Sequence, residues 1–368
     1  MQVLIFIFAA FAVLGILDLI TGNHAGLGTE FERGIQLIGP LTLAMLGMLC
    51  LVPVISSLLE PVILPLANAL HLDPSVFSAM LIANDMGGAP LSAGLAADEQ
   101  MGAYNGLVVS SMMGVTVSFT IPTALKMIPE AHQKDAMLGI LCGVCTIPVG
   151  CMVGGAAAGI SLLKTLVNCI PIALFAALIA FGLFKAPERS VRLLTLFGKG
   201  FSALIMVGLG LGIFRFLTGI TLISSLAPVV DSFELLFNLA FLLSGVFPLI
   251  RVLSALLKKP LARLSGKIGI NETAALGLLT TLASSAPPFG LVKDMNRRGV
   301  ILNMAFAVSA AFTVGDHLAF TVMYNADYAL PMIAGKLAAG FTALLTAHWV
   351  SKNRTAQEAS VQTDALPD

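Results

Sequence analysis

Four groups of polar residues lie inside apolar stretches where they could do chemistry. In "FAVSAAFTVGDHLAF" (306–320) an acid and an imidazole, Asp316 and His317, are adjacent. If this run is one helix starting near residue 300, Asp316 lies roughly 22 Å along it, at about 1.5 Å per residue. A charge at the centre of a membrane span costs about 3 kcal/mol on insertion scales, so it requires a partner or a function. Ser309, seven residues earlier, would share the helix face of Asp316, with Thr313 close beside it. His317 would point about 100° away, to pair with a carboxylate on a neighbouring helix or to titrate near neutral pH. The face of Asp316 would present an acid with hydroxyls.

The second group is "NDMGG" (84–88), where Asp85 sits beside glycines that allow unusual backbone angles and close approach of a ligand. Its carboxylate either receives a cation or caps a half-helix, and the two roles are compatible. The third is "ASSAPPFG" (283–290). There Ser284 and Ser285 offer hydroxyls, while Pro287 and Pro288 remove amide donors and leave carbonyls exposed, an arrangement that favours cations. The fourth is the 101–125 stretch, where Tyr104, Ser111 and Ser118 recur at steps of seven with Asn105 adjacent. That stripe reads equally as substrate contact or as polar bonding between helices.

The elements that position these groups are helices in a bilayer. The 368 residues are 57% hydrophobic and 11% charged, against roughly 25% charged in an ordinary soluble domain. The expected fold is an all-α polytopic membrane protein. Its expected full spans are 2–20, 34–59, 101–125, 136–160, 165–184, 201–226, 233–257, 300–323 and 328–349. The first begins "MQVLIFIF", with no positive n-region, and reads as a retained span. Twenty basic and twenty acidic residues give no net charge, so nothing points to nucleic acid. The five cysteines lie in apolar segments, and "CGVC" (142–145) reads as small residues for packing. "GCMVG" (150–154) and "GAAAG" (155–159) have the spacing that permits close helix contact, within the chain or in a homo-oligomer.

Two further segments, 75–97 and 272–292, are long enough to span but are interrupted by polar residues, Gly and Pro. Such breaks must line a cavity or be covered by protein. "LIANDMGGAP" lies over "TLASSAPPFG" at an offset of 200, and "LVVSSM" over "FAVSAA" at 199, which suggests a duplication. The expected organisation is a first half at 1–160, a connecting helix and loop at 161–200, a second half at 201–350 and a polar cytoplasmic tail at 351–368. Basic clusters at 185–199, 258–267 and 293–298 read as cytoplasmic. On that assignment the C-terminus is inside, both interrupted segments are re-entrant, and the halves are inverted, as in many secondary transporters. The competing reading makes both segments full spans, giving eleven spans and a parallel repeat.

"NDMGG", "SSMMG" (110–114), "TIPVGC" (146–151), "NCIP" (168–171) and above all "FAVSAAFTVGDHLAF" resemble the EutH family of ethanolamine utilisation membrane proteins, in order and over nearly the whole chain. The resemblance implies multi-pass insertion in a bacterial inner membrane and passage of ethanolamine to a lyase pathway. Where the family pattern has cysteine before the first acid, this chain has Asn84, so identical specificity does not follow. Ethanolamine carries a lysine-like ammonium at neutral pH and a hydroxyl at its other end. Asp316 or Asp85 would receive the ammonium, and Asn84, Ser284, Ser285 or Ser309 the hydroxyl. Another small cation or polar amine is the alternative substrate. No cofactor is expected, though a proton or sodium ion could be coupled to transport.

An intramembrane metal enzyme would need several ligands at one depth, whereas His24, His71, His132 and His348 lie in loops or at span ends. A scaffold without transport would leave the two matched interruptions unexplained. The expectation is a transporter for a small amine, not an enzyme.

Overall fold

The computed structural model describes residues 2–364, and among these eight helices are long and apolar enough to cross a bilayer. The side chains of Lys258, Lys259, Arg263 and Lys267, and those of the polar tail from residue 353 onward, lie outside the described residues. Five helices fall close to expected spans: Gln2–Ile20, Glu99–Met127, Glu130–Ala157, Leu162–Lys185 and Val229–Leu257. A sixth, Pro187–Thr218, overlaps the expected 201–226 span but takes in most of the basic 185–199 stretch expected as a loop, and stops at Gly219, which is left-handed at φ +75. The other two depart from expectation. The 34–59 span is the middle of one 44-residue helix, Leu27–Leu70, longer than the roughly 20 residues a bilayer requires. Pro53, Pro61 and Pro65 and a π-turn at Thr42–Leu46 interrupt its regular ladder, the features at which long helices kink.

The eighth, Asp316–Lys352, absorbs only the second part of the expected 300–323 span. That span is broken into Arg297–Ala310 and Asp316–Asn325, with Phe312 at φ +63 between them. Ser309 and Asp316 therefore do not share a helix face. The cause is tertiary: the Phe312 and Val314 amides donate to the carbonyls of Thr281 and Leu282, in the second interrupted segment, at 3.1 and 2.8 Å. A second correction concerns the 101–125 stripe. Its helix is π-bonded over Asn105–Gly114 and Thr116–Thr120, so steps of seven no longer return to one face.

Both interrupted segments are hairpins with their ends in contact. In the first, Ser75–Ala79 enters and Ala89–Leu95 returns. Asp73, just before the entry, accepts hydrogen bonds from the amides of Ala97 and Asp98 at 3.2 and 3.0 Å. In the second, Glu272–Thr281 enters and Ala286–Leu291 returns. Here Asn271 Nδ2 donates to the Asp294 carbonyl at 2.7 Å.

The two bases lie at opposite ends of the bundle, separated by the length of the Glu99–Met127 and Glu130–Ala157 helices. At the first base, Lys164 pairs with Asp98 at 2.6 Å and the Tyr328 hydroxyl donates to the Gln100 carbonyl at 3.0 Å. At the second, Arg297 pairs with Asp135 at 2.9 Å and Arg298 meets His348 at 2.8 Å. The Lys164 ammonium holds the Asp98 carboxyl below the usual carboxylate range. The pair therefore persists at neutral pH and is lost only on acidification.

Small residues bring the helices together, as they must where lipid gives no hydrophobic drive between helices. Gly150 and Gly154 face Gly335 and Pro331 of the last long helix. The "GCMVG" face is thus used inside the chain and is not free to join a second copy. Asn105 and Asn168 exchange amide hydrogen bonds at 3.2 and 2.7 Å across two further helices.

The hairpin geometry has a direct test. In a cysteine-less background, Ala97→Cys and Lys293→Cys are expected to react with a membrane-impermeant thiol reagent from opposite faces of the membrane. Labelling of both from one face would contradict the arrangement.

Candidate functional site

Three breaks in the chain meet inside the bundle. At the tip of the first hairpin, Asn84–Gly88 turns through Gly87 at φ +102, and a Cβ there would collide with the Met48 side chain. Only glycine fits both demands. The tip is tied to the Glu99–Met127 helix: the Ser110 hydroxyl donates to the Ile82 carbonyl, and the Ala83 amide donates to Ser118 Oγ at 3.2 Å. Ala83 also packs in one apolar cluster with Val115, Ala311 and Phe312. The third break, 311–315, is thus held between both tips, since its other side is bonded to Thr281 and Leu282. Gly315 rests on the Ala283 carbonyl with no room for a Cβ.

The ionisable residues gather at this junction. Asp316 opens the second half-helix, and with Asp85 and His317 it lines a cavity of about 190 Å³ walled by Pro40, Met86, Phe119 and Phe312. Asp316 also lines a larger cavity of about 340 Å³, together with Ser284, Thr280, Glu30, Arg33 and Arg251. The two sequence-predicted acids are therefore brought to one space, and Asp316 belongs to both.

His317 is 1% exposed and stacks on Phe312, with ring centroids 4.9 Å apart. Its Nε2 is 3.8 Å from Asp85 Oδ1, and its Nδ1 is 3.1 Å from Lys336 Nζ. Of the two roles foreseen for this imidazole, the geometry supplies the partner: a carboxylate on a neighbouring element. Lys336 is wholly buried and also donates to the Ser111 carbonyl at 2.6 Å. An ammonium has only donors, so with Lys336 protonated Nδ1 of His317 is the acceptor, and Nε2, 3.8 Å from Asp85 Oδ1, is left to carry the ring proton. Lys336 was absent from the sequence-based site. Its signal was present, a lone cation in the middle of the apolar 328–349 span, and the cost argument used for Asp316 applies to it equally.

The remaining expected residues divide. Asn84, Ser285 and Ser309 are fully buried, and neither the Asn84 amide atoms nor the two hydroxyls have a hydrogen-bond partner in the protein. A buried polar group left so costs about 1–3 kcal/mol, and Ser56, Thr120 and Thr321 share that state. Asn84, Ser285 and Ser309 line neither cavity, and Asn84 is set apart by adjoining Asp85 at the hairpin tip. Ser284 lines the larger cavity, and its Oγ accepts from the Ala286 amide at 3.4 Å. Tyr104 is elsewhere: its hydroxyl donates to the Cys151 carbonyl at 2.7 Å, and it lines neither cavity. The Ser111 hydroxyl donates to the Val108 carbonyl at 2.8 Å, so only its main chain reaches the cluster. Among the described residues no three His, Cys, Asp or Glu side chains are grouped to hold a metal ion. The smaller cavity thus presents two carboxylates and an imidazole, and the larger one Asp316 with the hydroxyls of Thr280 and Ser284.

A family model described as "Ethanolamine utilisation protein, EutH" matches residues 1–350. The chain is 42% identical over 367 residues to a "Probable ethanolamine permease EutH" of Listeria monocytogenes, covering 100% of this chain and 98% of that protein. It is 38% identical to the "Uncharacterized protein YxeR" of Bacillus subtilis, covering 96% of each. It is 37% identical to a "Probable ethanolamine permease EutH" of Salmonella typhimurium, covering 92% of this chain and 89% of that one. No solved structure matches.

The junction of breaks should be intolerant of bulk. Gly315→Ala is expected to push the 311–315 turn off the Ala283 carbonyl and cost about 1–3 kcal/mol, the usual range for overpacking. A thermal-unfolding midpoint in detergent equal to wild type would contradict it.

Proposed function

Since the chain belongs to the EutH family of ethanolamine utilisation proteins, we propose that it carries ethanolamine across the bacterial inner membrane. That it is a multi-pass transporter rather than an enzyme follows from the family; the substrate and its binding mode are the proposal. The observation that carries it is the position of Asp316, a carboxylate at the meeting point of three chain breaks and on the wall of two cavities. An amine such as ethanolamine is protonated at neutral pH, as a lysine side chain is, and crosses lipid poorly in that form. The junction offers its ammonium a carboxylate, from Asp316 or Asp85. It offers its hydroxyl Ser284, on the wall of the larger cavity, and Asn84, unpartnered beside Asp85. The smaller cavity, about 190 Å³, is below the roughly 300–1,000 Å³ of sites for drug-sized ligands, which favours a molecule of a few heavy atoms.

The hairpins support a transport cycle built on inverted halves. One enters from each end of the bundle, and the tips meet at the site, the pattern in which rocking of one half against the other exposes a fixed site to each side in turn. Lys126, Lys134, Lys293, Arg297, Arg298 and Lys352 all belong to the end that holds the second hairpin's base. By the excess of Lys and Arg on cytoplasmic loops that end, with the C-terminus, faces the cytoplasm. The larger cavity is lined by Leu276 and Thr280 of the hairpin arm entering from there, so Asp316 is approached from the cytoplasmic side in this conformation.

Reconstituted in liposomes, the protein is expected to take up labelled ethanolamine. Asp316→Asn should reduce the rate by about a hundredfold, as loss of a buried charge partner costing 2–5 kcal/mol implies, without loss of fold. Uptake no faster than in empty liposomes would remove the transport reading. An undiminished Asp316→Asn rate would remove only the role of that acid.

A further inference from the structure

Lys336 is held by the junction but lines neither of the cavities that Asp316 lines. It comes from the last long helix, is wholly buried, and is fixed at both sides, to the Ser111 carbonyl at 2.6 Å and to His317 Nδ1 at 3.1 Å. Through the imidazole it faces Asp85, 3.8 Å from Nε2. A lysine stem usually carries its ammonium to water, and this one is not able to: it lies in mid-helix, with its nitrogen bonded to two groups of the core. A cation so placed acts on whatever charge the site presents to a ligand.

The charges can be counted. Among the described residues, the ionisable side chains lining the smaller cavity are Asp85, Asp316 and His317. With Nδ1 accepting from Lys336, His317 is the neutral tautomer, and its Nε2 proton is turned to Asp85. With Asp85, Asp316 and Lys336 all ionised, the two carboxylates against one ammonium leave a single negative charge in the smaller cavity. Arg33 and Arg251 line only the larger cavity, where the acids are Glu30, paired with Arg33 at 3.4 Å, and Asp316, so the count holds for the smaller cavity alone.

We propose that Lys336 is a built-in counter-ion that neutralises Asp85 through His317, reserving Asp316 for the substrate and setting the site's charge to accept one monovalent ammonium. This deepens, and rests on, the transport reading above. Lys336 is in this sense a specificity-determining residue that does not touch the substrate. It makes the site choose monoamines over diamines, because a second ammonium on the ligand would meet the one already supplied by the protein. It also resolves the ambiguity between the two acids: Asp85 belongs to the lysine, and Asp316 to the ligand.

The test is a charge-swap cycle with four full-length proteins: wild type, Asp85→Asn, Lys336→Met and the double variant. Asp85→Asn alone leaves the site without net charge and should slow ethanolamine uptake in liposomes by about tenfold. Adding Lys336→Met restores the single negative charge and should bring uptake back to within about threefold of wild type. Lys336→Met alone leaves two negative charges, and 1,3-diaminopropane, doubly charged at neutral pH, should then compete with ethanolamine at about tenfold lower concentration than in wild type. A double variant as slow as Asp85→Asn, or a Lys336→Met protein with wild-type diamine competition, overturns the proposal.

Thermal unfolding of the same four proteins in detergent provides a readout that needs no transport. The double variant should unfold above either single variant, because each single change leaves one buried charge uncompensated. Strictly additive losses, or a double variant that fails to fold while Asp85→Asn folds, overturn the pairing. Should wild type take up no ethanolamine, the transport reading fails, and the unfolding cycle still decides whether Lys336 and Asp85 are coupled.

Discussion

The architecture depends on one constraint: backbone polar groups at the middle of a bilayer have no water to bond and must find partners in protein. Three separate stretches break their helices at that depth, and each supplies what another lacks. The Phe312 and Val314 amides take the Thr281 and Leu282 carbonyls. Ser110 and Ser118 of an unbroken helix satisfy Ile82 and Ala83. None of the three breaks is tolerable alone in lipid, so the junction has to form as a unit, and the long helices around it act as a sleeve that keeps lipid out. Close contacts such as Gly114 on the Ile82 carbonyl and Gly315 on the Ala283 carbonyl are consequences of the same requirement. The backbones must approach until the carbonyls are covered.

Much of this was legible in the sequence, and the exceptions have physical causes. The two hairpins announce themselves because their breaks contain Gly and Pro, which interrupt a helix locally whatever surrounds them. Asp85 and Asp316 stand out because no lipid-facing position would hold a carboxylate. The 311–315 break was barely legible: "AFTVG" has no proline, and its one glycine and two β-branched residues disfavour a helix only weakly. Its course is decided by hydrogen bonds to a segment some thirty residues away, and Phe312 is held at φ +63 by them, a conformation that its own side chain disfavours. Because of that break, Ser309 and Asp316 belong to different helices and do not share a face. The Tyr104, Ser111 and Ser118 stripe misled for a related reason, since π-bonding changes the periodicity on which the spacing argument rests.

Lys336 is the instructive case between these. A lone lysine in an apolar span is visible in the sequence, but its long stem leaves the location of the ammonium undetermined by several ångströms. Only the neighbours settle that it turns inward to Ser111 and His317. The same holds for His317, whose partners come from three different elements.

The cluster also bears on why such a chain would keep charge in its interior at all. Structural cohesion does not require it: replacing buried ionic groups by well-packed apolar ones of similar volume is often neutral or stabilising. Away from this cluster the interior is joined by small residues and by neutral pairs such as Asn105 with Asn168, and the ion pairs Lys164–Asp98 and Arg297–Asp135 lie at the two ends of the bundle. Asp85, Asp316, His317 and Lys336 are instead concentrated at the one depth where the helices are broken and beside the cavity. If the charges served only to hold helices together, there would be no reason for them to collect where the backbone is already interrupted, nor for one carboxylate to be left facing two cavities. Asn84 and Ser285, buried at the first two breaks, and Ser309, in the helix just before the third, leave hydrogen-bonding capacity without a protein partner there as well. The least costly account of both is a site whose polar groups are completed by a molecule that passes through it.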